Sequence, residues 1–268
     1  MDNIWCIKMG YLTHQETKNM KSLIKYISVI VVGFASVFAG TIDPSVPDSK
    51  YLEYGAHFKY VGKLRGECED GSLFCASAVV IKEKIILTAA HVVEGYKKCT
   101  ITVEDKDYIV ERFIWPKQYE EKKYGYGDIA IGFVSEPIKL DFYPELYDKE
   151  DEVNKLCCIA GYGITGTFNT GAIKSDMKRR AGSNIIEEID RKLLVCRASR
   201  HHDKTRTSLE LIIASGDSGG GLFIDSKLAG INSCITGSMP DAMKSTYTTD
   251  SCHTRISEYR RWILDSIE

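Results

Sequence analysis

Gly216-Asp217-Ser218-Gly219-Gly220-Gly221 lies between two apolar runs, Leu211-Ile212-Ile213 and Leu222-Phe223-Ile224. Three glycines directly after a serine let the backbone turn sharply and approach a ligand closely, because no Cβ intervenes. A serine held in such a turn can present its hydroxyl to open space. The amides of Gly216 and Ser218 can then converge on one oxygen of a bound carbonyl. Hairpins and bulges use the same residues, so the stretch acquires meaning only if a base and an orienting acid lie elsewhere in the chain.

Both are present upstream. Ile85-Ile86-Leu87-Thr88-Ala89-Ala90-His91 places a histidine at the end of an apolar strand, beside two small residues. Gly127-Asp128-Ile129-Ala130-Ile131 places an aspartate directly ahead of another. A serine hydroxyl is a poor nucleophile at neutral pH and needs a base to take its proton as it attacks. Histidine titrates near neutrality and can return that proton to a leaving amine. A buried carboxylate fixes the imidazole tautomer and stabilises the imidazolium. Asp105 and Asp107 fit solvated turns better than this role.

Read together, TAAH (88–91), DIAI (128–131) and GDSGG (216–220), in that order, resemble the TAAH, DIAL and GDSGG signatures of the chymotrypsin/trypsin-like serine proteases, as in a bacterial-type or otherwise divergent secreted member. The resemblance covers roughly Tyr51 to the C-terminus. It implies an all-β fold of two packed six-stranded antiparallel β-barrels with a C-terminal helix. It also implies a serine endopeptidase working through an acyl-enzyme, with His91, Asp128 and Ser218 catalytic and the amides of Gly216 and Ser218 holding the oxyanion. Asp217 is implied as the acid that pairs with a new N-terminal amine after activation. Ile212, Ser215, Ser233, Ile235, Ser251 and His253 are implied to form the substrate pocket. Ile212 stands where a trypsin-like enzyme needs an aspartate, so Lys/Arg specificity is not expected. Either a shallow apolar pocket or recognition of a carboxylate by His253 with Ser215 is compatible with these residues. The resemblance calls for no metal and no organic cofactor, for protein or peptide substrates, and for a monomer. The competing class is a catalytically silent relative that binds a partner through the same cleft. An α/β-hydrolase would follow the order Ser…Asp…His with βα alternation, which this chain lacks.

The family's activated end, an Ile-Val-Gly-Gly-like sequence, is missing; Thr41-Ile42-Asp43-Pro44 stands early instead. Asp217 is therefore satisfied by another donor, or cleavage elsewhere, such as after Lys50, supplies the amine.

The rest of the chain is consistent with export. Its 268 residues carry a net charge of −2 and no basic block, so nucleic-acid binding has little electrostatic support. Met20-Lys21-Ser22-Leu23-Ile24-Lys25 opens a positive segment, and Tyr26 to Ala39 runs apolar without a charge. That core is short for a membrane span of ~20 residues and suits a signal peptide, with Val37-Phe38-Ala39 ahead of the cleavage. Residues 1–39 are thus expected to be a signal peptide (Met20 being an alternative start), 40–54 a lead-in, and 55–268 a protease domain. Within it, one barrel falls at about 55–136, a second at about 150–254 and a helix at 255–267. A secreted or periplasmic location is expected, and a membrane anchor only if the leader is not cleaved.

Nine cysteines, eight of them after Cys6, fit an exported protein. Cys68 with Cys75 across a hairpin, and Cys234 with Cys252 on neighbouring strands, are the pairs the sequence suggests. Cys157 and Cys196 match family cysteines whose usual mates are absent, the first because Ile224 stands at the partner position. His201-His202 reads as a charged loop, and no spacing suggests zinc. Short β-rich runs are expected at 58–65, 75–81, 84–89, 100–103, 108–114, 129–133, 155–161, 177–189, 193–196, 221–224, 227–232 and 247–254. Ile256, Tyr259, Trp262/Ile263 and Ile267 lie on one face of the final helix.

Overall fold

The computed structural model describes residues 40–119, 123–174, 176–200, 203–204, 206–237 and 244–268. The leader, and with it the signal-peptide reading, lies outside the described residues, as does His201-His202.

In the first half, β2 (Val61–Cys68), β3 (Leu73–Lys82), β4 (Ile85–Thr88), β5 (Tyr96–Val103), β6 (Lys106–Ile114) and β7 (Ala130–Val134) close into a barrel in the order β2-β3-β4-β7-β6-β5. Every neighbouring pair is antiparallel. Tyr108 and Val110 of β6 point inward by alternation, and the irregularity between Val110 and Arg112 shifts the phase by one so that Phe113 joins them in the core with Leu64, Val79, Ile86, Ile101 and Ile131.

The second half is a seven-stranded antiparallel sheet. Its members are β8 (Leu156–Gly161), β11 (Arg180–Ile185), β12 (Glu188–Asp190), β13 (Leu193–Arg197), β15 (Gly221–Ile224), β16 (Lys227–Gly237) and β17 (Thr249–Arg255), in the order β11-β8-β15-β16-β17-β13-β12. The run expected at 177–189 is divided between β11 and β12. The sheet wraps around Cys157, Ile159, Leu194, Cys196, Leu211, Ile213, Leu222 and Ile224, so the two-barrel expectation holds with one strand more in this half.

A small third sheet sits beside it. β1 (Thr41–Ile42) lies between β9 (Thr165–Thr167) and β14 (Leu211–Ile212), and β10 (Gly171–Lys174) completes the order β10-β9-β1-β14. The lead-in shows no strand pattern in the sequence, because two residues are too few to show a period. It also hid α1 (Asp48–Gly55), whose Tyr51 is fully buried and donates its hydroxyl to Glu210 O at 3.1 Å. The single turn α2 (Ala90–Val93) carries His91. The terminal α3 (Ile256–Ile267) buries Ile256, Tyr259 and Ile263 against the first-half core, on the face the sequence predicts.

Among the described residues the eight cysteines are not joined by disulfides. Strand register excludes the Cys68–Cys75 pairing, because Cys75 is opposite Arg65 and Cys68 is bonded back to Ser72 O. An odd offset along a strand reverses the face a side chain occupies. Cys234 does stand opposite Cys252 on neighbouring strands.

Candidate active site

Three segments far apart in sequence meet between the halves. β4 ends at Thr88 and hands His91 to the one-turn helix; Asp128 lies just ahead of β7; Ser218 sits in the turn between β14 and β15. Asp128 Oδ1 accepts the backbone N–H of His91 at 2.9 Å, and Oδ2 lies 2.8 Å from His91 Nδ1. Ser233 Oγ donates to the same Oδ2 at 2.5 Å. A carboxylate accepts only, so this contact places the imidazole proton on Nδ1 and leaves the Nε2 lone pair free. That lone pair faces Ser218 Oγ at 3.0 Å.

Burial would raise the Asp128 pKa, but the facing His91 ring and the hydrogen bonds from His91 and Ser233 outweigh it, so the carboxyl lies below its ordinary range. Asp128 is thus a fixed anion. Thr254 Oγ1 holds its backbone carbonyl at 2.8 Å, tying the loop to β17.

Ser77, which the sequence reading passed over, pins the serine turn. Its N–H donates to Ser218 O at 2.9 Å, and its hydroxyl donates to Gly216 O at 3.0 Å while accepting from Tyr162 N at 2.9 Å. Gly219 has φ +84°, and a Cβ there would lie 2.0 Å from Thr88 Oγ1 and 2.2 Å from Ser77 O. Only glycine fits, so the fourth letter of the motif, Gly219, is a packing requirement between the two halves.

Asp217 turns away from Ser218 into the protein, 3 % exposed. Its Oδ2 accepts from Gly40 N at 2.7 Å and Ala214 N at 2.9 Å, and its Oδ1 from Gly163 N at 2.8 Å. Burial pushes its pKa up to about 6 against the pull of these amides.

The predicted pocket residues divide. Ser215 is exposed and Ile235 half-buried. Ser233 is 5 % exposed, and its carbonyl is 3.4 Å from Ser218 Oγ. Ile212, Ser251 and His253 are fully buried and line no open pocket. Ile212 is taken up in β14 opposite Thr41, packed with Phe168, Ala198 and Tyr247. Ser251 and His253 point into the second-half interior. There the Ile213 N–H reaches Ser251 Oγ at 3.2 Å, Ser251 Oγ contacts His253 Nε2 at 3.0 Å, and His253 Nδ1 contacts Asn232 Oδ1 at 2.8 Å. Asn232 Nδ2 ends the chain on Ala160 O at 3.2 Å. Both ring nitrogens are engaged, and burial drives the His253 pKa down to about 3. A neutral, fully bonded imidazole cannot receive a substrate carboxylate, which removes the acidic-pocket reading.

Among the described residues no group of three His, Cys, Asp or Glu could hold a metal ion, and no helix is long and apolar enough to cross a membrane.

This arrangement agrees with what the chain resembles. The family model described as Trypsin matches residues 53–263, and the chain belongs to the trypsin family. HL collagenase is 18% identical with a TM-score of 0.62, over 78% of this chain and 93% of that one. Neuropsin, a serine protease expressed in the limbic system of mouse brain, is 19% identical with a TM-score of 0.62, over 79% and 95%. Kallikrein-related peptidase 10, in complex with Zn2+, is 20% identical with a TM-score of 0.57, over 80% and 97%. No curated protein matches the sequence. Family membership supports a peptidase acting on proteins or peptides.

Proposed function

We propose that the protein is a serine endopeptidase in which Ser218, His91 and Asp128 carry the reaction. The observation behind this is the continuous line from Asp128 Oδ2 through His91 to Ser218 Oγ, with contacts of 2.8 and 3.0 Å. As Ser218 Oγ attacks a peptide carbonyl, His91 Nε2 takes the hydroxyl proton. The resulting imidazolium is stabilised by the Asp128 anion, and the amides of Gly216 and Ser218 hold the oxyanion. Collapse passes the proton from Nε2 to the leaving amine and leaves Ser218 acylated. Water, deprotonated by the same nitrogen, then releases the acid. Removing either nucleophile or base should lower turnover by about five to six orders of magnitude, since they act as a unit. Retention of most peptidase activity on a denatured protein substrate by purified Ser218→Ala or His91→Ala would contradict this.

Residues 1–39 act as a signal peptide in the same proposal, and cleavage after Ala39 delivers the secreted enzyme. The new Gly40 ammonium then takes the place of the Gly40 N–H against Asp217, already 2.7 Å away. Removal of the leader is the activating cut, and no second cleavage is needed. Substrate selectivity is not for Lys or Arg, because Ile212 stands where such an enzyme needs an aspartate, and a substrate cation buried without a partner is costly. Small or medium aliphatic residues fit best beside Ile235.

A further inference from the structure

The second-half sheet is not closed by backbone hydrogen bonds. Its order begins with β11 and ends with β13 and β12, and no ladder joins β11 to β13. What crosses that seam is side-chain contact: Asn184 of β11 donates Nδ2 to Arg197 O of β13 at 3.1 Å. Directly behind it lie two thiols. Cys157 of β8 is opposite Asn184 and donates Sγ–H to Asn184 O at 3.3 Å. Cys196 of β13 lies opposite Ser251. The two Sγ atoms are 3.8 Å apart, in van der Waals contact, on residues 1 % and 0 % exposed.

We propose that Cys157 and Cys196 form a disulfide that closes this seam. Geometry makes the pairing selective. The neighbouring Cys158 faces the other side of β8, where its Sγ meets Tyr54 OH at 2.9 Å. Cys234 and Cys252 stand opposite each other, and Cys252 meets Tyr124 OH at 3.4 Å. Cys252 is opposite Val195, one residue from Cys196, so it occupies the other face of the sheet. Within the sheet interior each of Cys157 and Cys196 therefore has the other as its facing thiol. The pairing is also not the one the family resemblance implies, which would join position 157 to position 224.

The cross-link forms by exchange with an external disulfide, either oxidised glutathione or the disulfide of an oxidoreductase. One cysteine attacks as thiolate and opens the external S–S bond to a mixed disulfide, and the second cysteine then displaces the remaining external thiol. Two protons and two electrons leave the pair, and the oxidant becomes two thiols. Both steps need thiolates and access, so the bond forms while the barrel is still open during folding. Once buried, it resists reduction. It ties β8, which leads to Gly163 beneath Asp217, to β13 across the seam, and so stiffens the half that carries Ser218.

The test is disulfide mapping of the whole chain in a Cys158→Ser, Ser218→Ala background, refolded in a mixture of oxidised and reduced glutathione. The sample is acid-quenched, alkylated in denaturant without reductant and digested with trypsin. The expected product is the peptide Leu156–Lys174 linked to Leu193–Arg197, lighter by two hydrogens than the two thiol peptides together and released by reductant. Cys196→Ser should remove it and lower the melting temperature of the oxidised protein by several degrees. Recovery of Cys157 and Cys196 as alkylated thiols from folded, oxidised protein would overturn the proposal, as would their linkage to other cysteines. The mapping reads the unsubstituted pair directly, so failure of Cys196→Ser to fold would not blunt it.

Discussion

The backbone nitrogen of Gly40 lies 2.7 Å from Asp217 Oδ2, across 177 residues of sequence, in a site closed to solvent. The strand that follows it, Thr41–Ile42, is hydrogen-bonded on both edges, to β9 and β14. An amide N–H satisfies one lone pair of the carboxylate but brings no charge, whereas a terminal ammonium in the same place would neutralise it.

Processing at this nitrogen should therefore control activity. A chain beginning at Gly40 is expected to react with an active-site probe without further cutting, and one with an uncleavable extension ahead of Gly40 to react much more slowly. Asp217→Asn in the processed chain should lower the labelling rate by about two orders of magnitude, the cost of breaking a buried ion pair. Equal labelling rates in all three proteins would show that the contact is structural only.

The same contact gives a pH signature. In the extended chain burial holds Asp217 near 6, against 3.8 for an ordinary aspartate. A carboxyl raised on folding contributes stability that is fully present below its unfolded value and is lost as pH rises through its folded one. The loss here is on the order of 3 kcal/mol between about pH 4 and 7. The Gly40 ammonium should abolish or reverse it. Melting temperatures of extended and processed Ser218→Ala proteins, measured across this range, should diverge; parallel curves would count against the ion pair.

His253 predicts the opposite slope. Its ring stays neutral in the fold down to about pH 3, while the unfolded ring charges near 6.5. Its contribution is complete above 6.5 and falls progressively as pH drops toward 3. His253→Phe should flatten acid unfolding. It should also cost about 1–3 kcal/mol at neutral pH for the unpaired Asn232 Oδ1 and Ser251 hydroxyl. The cleavage-site profile on a peptide library should not change. Selective loss of cleavage after Glu would restore a pocket role for this histidine.

Ser77→Ala tests the turn support. It removes the hydroxyl between Gly216 O and Tyr162 N. Because Ser77 touches neither nucleophile nor base side chain, turnover should fall by roughly tenfold with KM little changed, as expected of an interaction that positions the oxyanion donors. A change confined to KM would place Ser77 in substrate binding instead.

How much of this was legible in the sequence follows from where each role resides. His91, Asp128 and Ser218 could be found because each chemical role needs one residue type in a short, constrained context. Gly40, Ser77 and Asn232 could not, since their parts are hydrogen bonds to groups as far as 177, 139 and 21 residues away. Strand parity explains the misplaced pocket residues. Ser251 and His253 share a face of β17, and register turns that face into the core rather than toward substrate. The same parity separates Cys68 from Cys75 and brings Cys157 to Cys196, two cysteines that looked orphaned.

The most direct test of the central claim is labelling with a fluorophosphonate, which phosphonylates only a serine activated by a neighbouring base. The processed protein should label stoichiometrically at Ser218, and the adduct should be found on no other residue by peptide mapping. Labelling should vanish in Ser218→Ala and be nearly lost in His91→Ala. Folded, processed protein that leaves Ser218 unmodified, or that labels equally well after Ser218→Ala, would contradict the account.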